Sequence, residues 1–286
     1  MSNTQPISVA FQGEPGAYSE QAALNYFGPE ARTQPCRAFD EIFRRVSSGE
    51  IQYGMIPIEN SLAGSIHQNY DLLLRHQLHI TGEYHLRVRH CLQALPGVAL
   101  EEVQMVYSHP QALAQCEASL NRLGLPRKSE YDTAGSARLI AERGDRSAAA
   151  IASRRAAQVY GLNVLVENLE DDPANYTRFL ALSCTPAAQA AAEGQEYKTS
   201  IVFSLDNHPG VLFKALSVFA LRDLDMTKIE SRPLPGKLWD YMFYIDFAGH
   251  TAQPRVQRAL EHLAELATFL RVLGSYPRRH PDDDLK

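Results

Sequence analysis

The chain has 286 residues, a formal net charge of −5, 45% hydrophobic and 21% charged residues. That composition describes a packed globular protein, large enough for one large domain or two ordinary ones. It argues against a general nucleic-acid binder, which would be basic, and no stretch approaches the roughly 20 apolar residues that span a bilayer. The N-terminal MSNTQPISVAFQG has neither a basic n-region nor a long apolar core, so no signal peptide is expected. Cys36, Cys91, Cys116 and Cys184 are scattered without a CxxC pair, which predicts buried or semi-buried thiols in a reducing cytosol, not a zinc site or a disulfide framework.

In chain order, ISVAF (7–11) reads as a short buried strand. QGEPGAYSEQAALNYF follows as a Gly/Pro turn and an amphipathic helix, with Ser19 at the expected N-cap and Ala22, Ala23 and Tyr26 on one face. FDEIFRRVSSGE is a helix presenting Phe39, Ile42, Phe43 and Val46. YGMIPIEN is a strand ending in polar residues. HITGEYHLRVRHCLQAL is a long extended stretch, VQMVYSHPQALAQCEASLNRL is strand, turn and helix, and AAAIASRRAAQVYGLNVL is strand, helix and strand. This alternation predicts an α/β layer of parallel strands. TPAAQAAAEGQEYK (185–198), rich in Ala, Gly and Gln, reads as a linker.

Beyond it the pattern changes. KTSIVFSL is a strand, DNHPG a turn, and VLFKALSVFALRD a helix with Leu212, Ala215, Leu216 and Phe219 on one face. DMTKIESRP and WDYMFYIDF are strands around the turn LPGK, RVQRALEHLAELA is a helix facing Val256, Ala259, Leu260 and Leu263 inward, and FLRVLGSYP is a closing strand. The order β-α-β-β-α-β is ferredoxin-like. RRHPDDDLK is a polar tail.

Ligands of open α/β sheets bind at the carboxyl ends of strands, and polar clusters fall at four such places. GEPGAYSE offers Gly13 and Gly16 for close backbone approach and a helix N-terminus for an anion. IENSLAGS offers Glu59, Asn60 and Ser61. SHPQA offers Ser108, a candidate helix cap, and the titratable His109. NYTRF places Thr177 and Arg178 where a loop enters a buried strand. Each cluster alone reads equally as a cap, an exposed turn or a surface cation, and they gain weight only together. No GxxxxGK[ST], no GxGxxG in a dinucleotide-binding context, no HExxH and no GxSxG is present, so nothing supports nucleotide- or metal-dependent chemistry. Hydroxyls, amides, a carboxylate and an arginine suit a small polyanion with a group that leaves on protonation.

QGEPGAYSEQAA, PIENSLAGSI, SHPQALAQC and NYTRFL, followed by HPGVLFKAL and IESRP, resemble in order the motifs of prephenate dehydratases with a C-terminal ACT regulatory domain. SIHQNYDLLLRHQLHITGE and TSIVFSLDNHPGVLFKALSVFALRD are similar to the plant-type prephenate/arogenate dehydratases and their bacterial relatives. With no plastid transit peptide ahead of the domain, a bacterial cytosolic enzyme is expected. The resemblance implies a two-lobed, periplasmic-binding-protein-like α/β catalytic domain over 1–185, with lobe one about 1–83 and 172–185 and lobe two about 84–171. It further implies a linker at 186–197, an α+β ferredoxin-like ACT domain at 198–277 and a tail at 278–286. NYTRFL is then the strand returning to lobe one.

The implied reaction converts prephenate to phenylpyruvate, carbon dioxide and water, without a cofactor because aromatisation drives it. Thr177 matches the family's essential threonine, as donor to or positioner of the leaving hydroxyl, and Glu59 is a second candidate acid if the cleft raises its pKa. Arg178 is expected to clamp the pyruvyl carboxylate, not the carboxylate that leaves, whose ground state must not be stabilised. Asn60, Ser61, Tyr18, Ser19, Ser108, Gln111 and Phe179 are expected to bind substrate. The ACT match implies phenylalanine bound by Asn207, His208, Pro209, Gly210, Val211, Leu212, Glu230 and Ser231. The sequence departs from a common bacterial pattern, having GVLF for Gly-Ala-Leu-Val, which adds bulk at Val211. Homodimers or homotetramers are implied, with no nucleic-acid or membrane partner. Two rival readings stand: an arogenate dehydratase forming phenylalanine directly, and a non-enzymatic amino-acid sensor.

Overall fold

The structure is a computed structural model describing residues 6–187, 191–234 and 240–280. Strands β1 (Ser8–Gln12), β2 (Arg32–Cys36), β3 (Tyr53–Asn60), β4 (Gly64–Ser65) and β5 (His79–Arg87) alternate with helices α1 (Tyr18–Phe27), α2 (Phe39–Ser47) and α3 (His67–Arg75). The chain then builds β6 (Cys91–Ala94), β7 (Met105–Ser108), α4 (Pro110–Gln115), α5 (Glu117–Leu123), β8 (Arg127–Ser129), α6 (Thr133–Arg143), β9 (Ala148–Ala152), α7 (Arg154–Tyr160) and β10 (Asn163–Val166). Strand β11 (Tyr176–Ser183) returns to the first sheet, which runs β2-β1-β3-β11-β5 with β4 appended to β3; the second runs β10-β6-β9-β7-β8. Each sheet with its helices is one lobe, and the chain crosses between them twice, at 88–90 and 167–175. Because β5 continues to Arg87, the first crossing lies beyond the expected boundary at 83.

The sheets are mixed, not wholly parallel. Strand β1 runs parallel to β2 and β3, and β7 to β8 and β9, but β11 is antiparallel to both its neighbours and β6 to β9 and β10. The returning β11 comes back from the other lobe, so it enters its sheet against the direction of β3. All five residues of β9, AAAIA, are buried, as a strand covered on both faces requires.

The lobes touch where the loop before α1 meets α7. Gly16 has φ +90, and a Cβ there would lie 2.7 Å from Ala156 Cα, so only glycine lets the two backbones meet. Ser153 Oγ donates to the Gly16 carbonyl at 2.6 Å, Tyr160 Oη donates to the Pro15 carbonyl at 2.8 Å, and Arg155 Nε pairs with Glu20 at 2.7 Å. Helix α1 is capped by Ala17, with no side-chain cap bond; Ser19 lies inside its first turn, and so is not the cap. Cys116 interrupts the helix expected after SHPQ, dividing it into α4 and α5. Cys36, Cys91 and Cys116 are buried, whereas Cys184 is exposed.

The C-terminal unit is β12 (Tyr197–Ser204), α8 (Val211–Ala220), β13 (Met226–Pro233), β14 (Tyr241–Ala248), α9 (Pro254–Leu266) and β15 (Phe269–Pro277), in one antiparallel sheet of order β13-β14-β12-β15. Of the expected linker, 188–190 fall outside the described residues, as do 235–237 of the turn LPGK and 281–286 of the tail. This unit docks tightly on the first lobe. A Cβ on Gly274 would lie 2.0 Å from the Ile80 carbonyl oxygen. Ile80, Leu180 and Leu182 share one apolar cluster with Val202, Tyr244, Leu273 and Tyr276, so the units are fused through a common core.

Candidate active site

A cleft of about 370 Å3 opens between the lobes. The first lobe contributes Gln12, Tyr18, Ser19, Asn60, Thr177 and Phe179; the second contributes His109, Gln111, Gln115, Asp132 and Thr133, with His90 from the first crossing. No lysine or arginine is among the described residues lining it. Instead, the starts of α1, α4 and α6 meet there, from both lobes. Their positive dipole ends favour a negatively charged ligand.

A directed hydrogen-bond chain runs to Thr177. Asn60 Oδ1 accepts the backbone N–H groups of Leu62 at 3.1 Å and Ala63 at 2.9 Å, which fixes the orientation of its amide. Asn60 Nδ2 therefore donates to Thr177 Oγ1 at 3.0 Å and to Asn175 Oδ1 at 2.8 Å. Asn175 Nδ2 donates to Gln115 Oε1 at 3.0 Å, and that oxygen also accepts from His90 Nε2 at 3.0 Å. Burial lowers the pKa of His90, which is thus neutral; with Nε2 protonated, Nδ1 is an acceptor. It lies 2.8 Å from Tyr18 Oη, whose proton it shares with the Arg89 carbonyl at 2.9 Å. Burial raises the Tyr18 pKa well above its ordinary value, so that proton stays on. Because Thr177 Oγ1 already accepts a bond, its own proton is left for a ligand in the cleft, and the bond it accepts polarises it as a donor.

Strand alternation decides the remaining positions. Thr177 and Phe179 face the cleft, so Arg178 between them faces the C-terminal unit. Its Nε lies 2.8 Å from Glu83, its Nη1 2.6 Å from Asp246 and its Nη2 3.1 Å from Tyr276 Oη. Lys198 Nζ pairs with the same Glu83 at 2.7 Å. Burial pushes Asp246 and Glu83 upward, but Arg178 and Lys198 outweigh it and hold both carboxyls below their usual range. Arg178 is therefore spent on a buried cluster between units, and the expected substrate clamp is corrected. Glu59 likewise sits next to Asn60 on the opposite face, 3.0 Å from Lys228 of β13, and is not an acid of this cleft.

Two serines are also corrected. Ser108 is fully buried and donates to the Ile151 carbonyl at 2.6 Å; the cap of α4 is His109, whose Nδ1 accepts from the Gln111 N–H at 3.2 Å. Ser61 donates to the Ala174 carbonyl at 2.7 Å and accepts from the Tyr176 N–H at 2.9 Å, pinning the segment before Thr177 without lining the cleft.

Comparison with known families gives a match to prephenate dehydratase over residues 9–187 and to the ACT domain over 199–265. The chain belongs to the prephenate dehydratase family. It is 52% identical over 286 residues to arogenate dehydratase/prephenate dehydratase 2, chloroplastic, of Arabidopsis thaliana, covering 97% of this chain and 74% of that one. Against arogenate dehydratase 2 of Petunia hybrida it is 52% identical, covering 95% of this chain and 72% of the relative. Among solved structures, prephenate dehydratase from Arthrobacter aurescens in complex with L-Phe superposes with a TM-score of 0.87 at 33% identity, over 97% of this chain and 91% of that one. A structure described as GqqA, a novel type of quorum quenching acylase, superposes with a TM-score of 0.89 at 38% identity, over 95% and 98%.

The fold is thus the two-lobed, periplasmic-binding-protein-like catalytic domain of a prephenate dehydratase, with a ferredoxin-like ACT domain behind it. In that ACT domain Gly210 has φ +81 and caps α8. Glu230 is already engaged, accepting from Ser65 Oγ at 2.6 Å and lying 3.2 Å from His67 Nε2. Ser65 and His67 flank Ile66, which lines the cleft. Within one chain, β14 separates the strand of Glu230 from β12, which leads into the Asn207 turn.

Proposed function

We propose that this prephenate dehydratase family member converts prephenate to phenylpyruvate. The ring carboxylate leaves as carbon dioxide, its bonding pair enters the ring, and the ring hydroxyl departs with one proton as water. The observation that carries this reading is the Thr177 hydroxyl, which accepts from Asn60 and keeps its proton for the cleft. Donation to the departing hydroxyl stabilises charge that develops there only in the transition state. Tyr18, Ser19, Gln111 and Phe179 bind the substrate. Its carboxylates are held by helix N-termini in place of an arginine, which avoids a strong grip on the one that must leave. Acyl transfer, the chemistry for which the acylase among the structural relatives is named, calls for a nucleophile paired with a base; the described partner of Thr177 Oγ1 is an amide.

Arogenate is the second reading, favoured by Asp132. This carboxylate lines the cleft while capping α6 through Gly135 N–H, and a substrate ammonium would meet it there.

L-Phenylalanine regulates through the ACT domain, bound between the Asn207–Leu212 turn of one chain and Glu230 and Ser231 of a second. The separation of these groups by β14 and the exposure of Phe213 at 77%, Leu221 at 75% and Ile229 at 50% support a homodimer or homotetramer. A ligand that takes Glu230 from Ser65 and His67 acts on the cleft wall, with a coupling of about 1–3 kcal/mol. Four cysteines free of disulfides favour a reducing compartment such as the cytosol.

The test is product identity. Purified protein is incubated with prephenate and separately with arogenate, each with and without L-phenylalanine. Phenylpyruvate from prephenate supports the first reading, faster phenylalanine formation from arogenate supports the second, and turnover of neither refutes both.

A further inference from the structure

A second concavity of about 300 Å3 opens where the lobes meet, and it shares no lining residue with the catalytic cleft. It lies over both crossings. Asn25, His85 and Arg87 come from the first lobe, Arg89 from the first crossing, Arg154 from α7 and Glu167 from the second crossing. Its volume is at the small end of ligand cavities.

The charges here do not balance. Glu167, the one acid among these lining residues, is paired with Arg154. The side chains of Arg87 and Arg89 make no hydrogen bond or ion pair with the described residues. Arg87 Nε and His85 Nδ1 are both buried without a partner. His85 adds no charge near neutral pH, since burial pulls its pKa down to about 4. Several enclosed cations elsewhere have acceptors: Arg178 and Lys198 meet Glu83, Arg155 meets Glu20, and Arg271 meets the Leu73 and Leu78 carbonyls. A buried donor without an acceptor is costly, and a bound ion is a recognised reason for one to persist. Two guanidinium groups without partners among the described residues line this polar hollow, and such forks match the oxygens of a compact oxyanion.

We propose that this notch binds a compact dianion of the phosphate class, held by Arg87 and Arg89 on one side and by Arg154 on the other. Such an ion links both lobes across the crossings and so restrains the hinge that sets the width of the cleft. This proposal does not depend on which reaction the cleft performs.

The test measures binding to the full chain by titration calorimetry and thermal denaturation. Sodium phosphate is compared with sodium chloride at equal ionic strength, and glycerol phosphate stands for a phosphomonoester. The expected result is a saturable phosphate isotherm and a rise in Tm that chloride does not give. Affinity falls at least tenfold in Arg87→Gln/Arg89→Gln and stays within twofold in Arg255→Gln, an exposed arginine of α9. Tighter binding of glycerol phosphate assigns the site to a phosphorylated metabolite; preference for inorganic phosphate assigns it to the free ion. If the double variant does not fold, Arg89→Gln at its exposed position carries the same comparison, with a loss of at least threefold. Absence of saturable binding, an equal response to chloride, or undiminished affinity in the variants overturns the proposal.

Discussion

Replacing Asp246 with asparagine removes one of four charges from the buried cluster joining the strand of Thr177 to the ACT sheet. Arg178 and Lys198 balance Glu83 and Asp246, and their side chains are 10%, 7%, 0% and 12% exposed. The variant leaves one positive charge uncompensated in that site. Breaking a buried pair by removing one partner costs about 3–5 kcal/mol. Asparagine keeps an acceptor for Ser200 Oγ, now 2.5 Å from Asp246 Oδ1, so we expect the low end, about 3 kcal/mol. At about 2–4 °C per kcal/mol for chains of comparable size, Tm falls by about 6–12 °C. Because Arg178 adjoins Thr177 on the same strand, kcat falls with it, by about tenfold or more. Tyr276→Phe is the graded control: it removes the hydroxyl bonded to Arg178 and to Ser200 but keeps all four charges, so it lowers both quantities less. The assay is differential scanning calorimetry with initial rates. A Tm within 1 °C of the parent (about 0.3–0.5 kcal/mol by the same conversion) together with unchanged kcat would refute the reasoning.

Further outcomes follow from the same geometry. Gly16→Ala sets a Cβ against Ala156 Cα and forces the lobes apart, so substrate KM should rise several-fold while the far-UV circular dichroism is kept. Glu59→Gln should leave the pH profile of kcat unshifted, since Glu59 faces Lys228 and not the cleft; loss of an ionisation from that profile would restore it as the acid. Asp132→Asn should lower turnover of arogenate relative to prephenate, measured as the ratio of the two kcat/KM values. On acidification, His85 carries a folded-state pKa of about 4, below the ordinary 6.5, so its contribution is present above 6.5 and is lost as pH falls toward 4. Glu20 is pushed up by burial, but the bonds from Arg155, Gly16 and Thr33 outweigh this and leave it below the usual value. Its contribution is lost at still lower pH, through its depressed value. Urea midpoints between pH 7 and pH 4 should decline from about pH 6.5, and His85→Asn should make the upper part of that decline shallower without abolishing it, because burial also lowers the pKa of His79 and His90.

Much of the fold was legible because apolar spacing and turn residues punctuate it: β1, α2, β3, β9, α8 and α9 fall where the pattern placed them. Strand β2, RTQPC, escaped notice because it is a polar edge strand carrying Pro35, tolerated only at an edge. Its position beyond β1 satisfies that rule. Of the candidate site, Thr177, Asn60, Tyr18, Ser19, Gln111 and Phe179 do line one cleft. Glu59 and Arg178 were misassigned although the signal was present: neighbours of Asn60 and Thr177 on a strand must face the other way. Gln115 was findable as the residue one turn after Gln111 on the same helix face. His90 carries no motif, because it sits in a crossing whose path only tertiary structure determines; Asn175 heads the motif NYTRFL, but its bonds to Asn60 and Gln115 depend on that same tertiary path.

In the reaction we propose, the Thr177 hydroxyl, oriented by Asn60, does the chemical work. The most direct measurement is single-turnover kinetics with direct substrate binding for Thr177→Val, which keeps the shape and removes the hydroxyl. The expected result is a fold and a substrate affinity close to those of the parent, with the chemical step slowed by about 10²–10³-fold. A chemical step within a few-fold of the parent would contradict it.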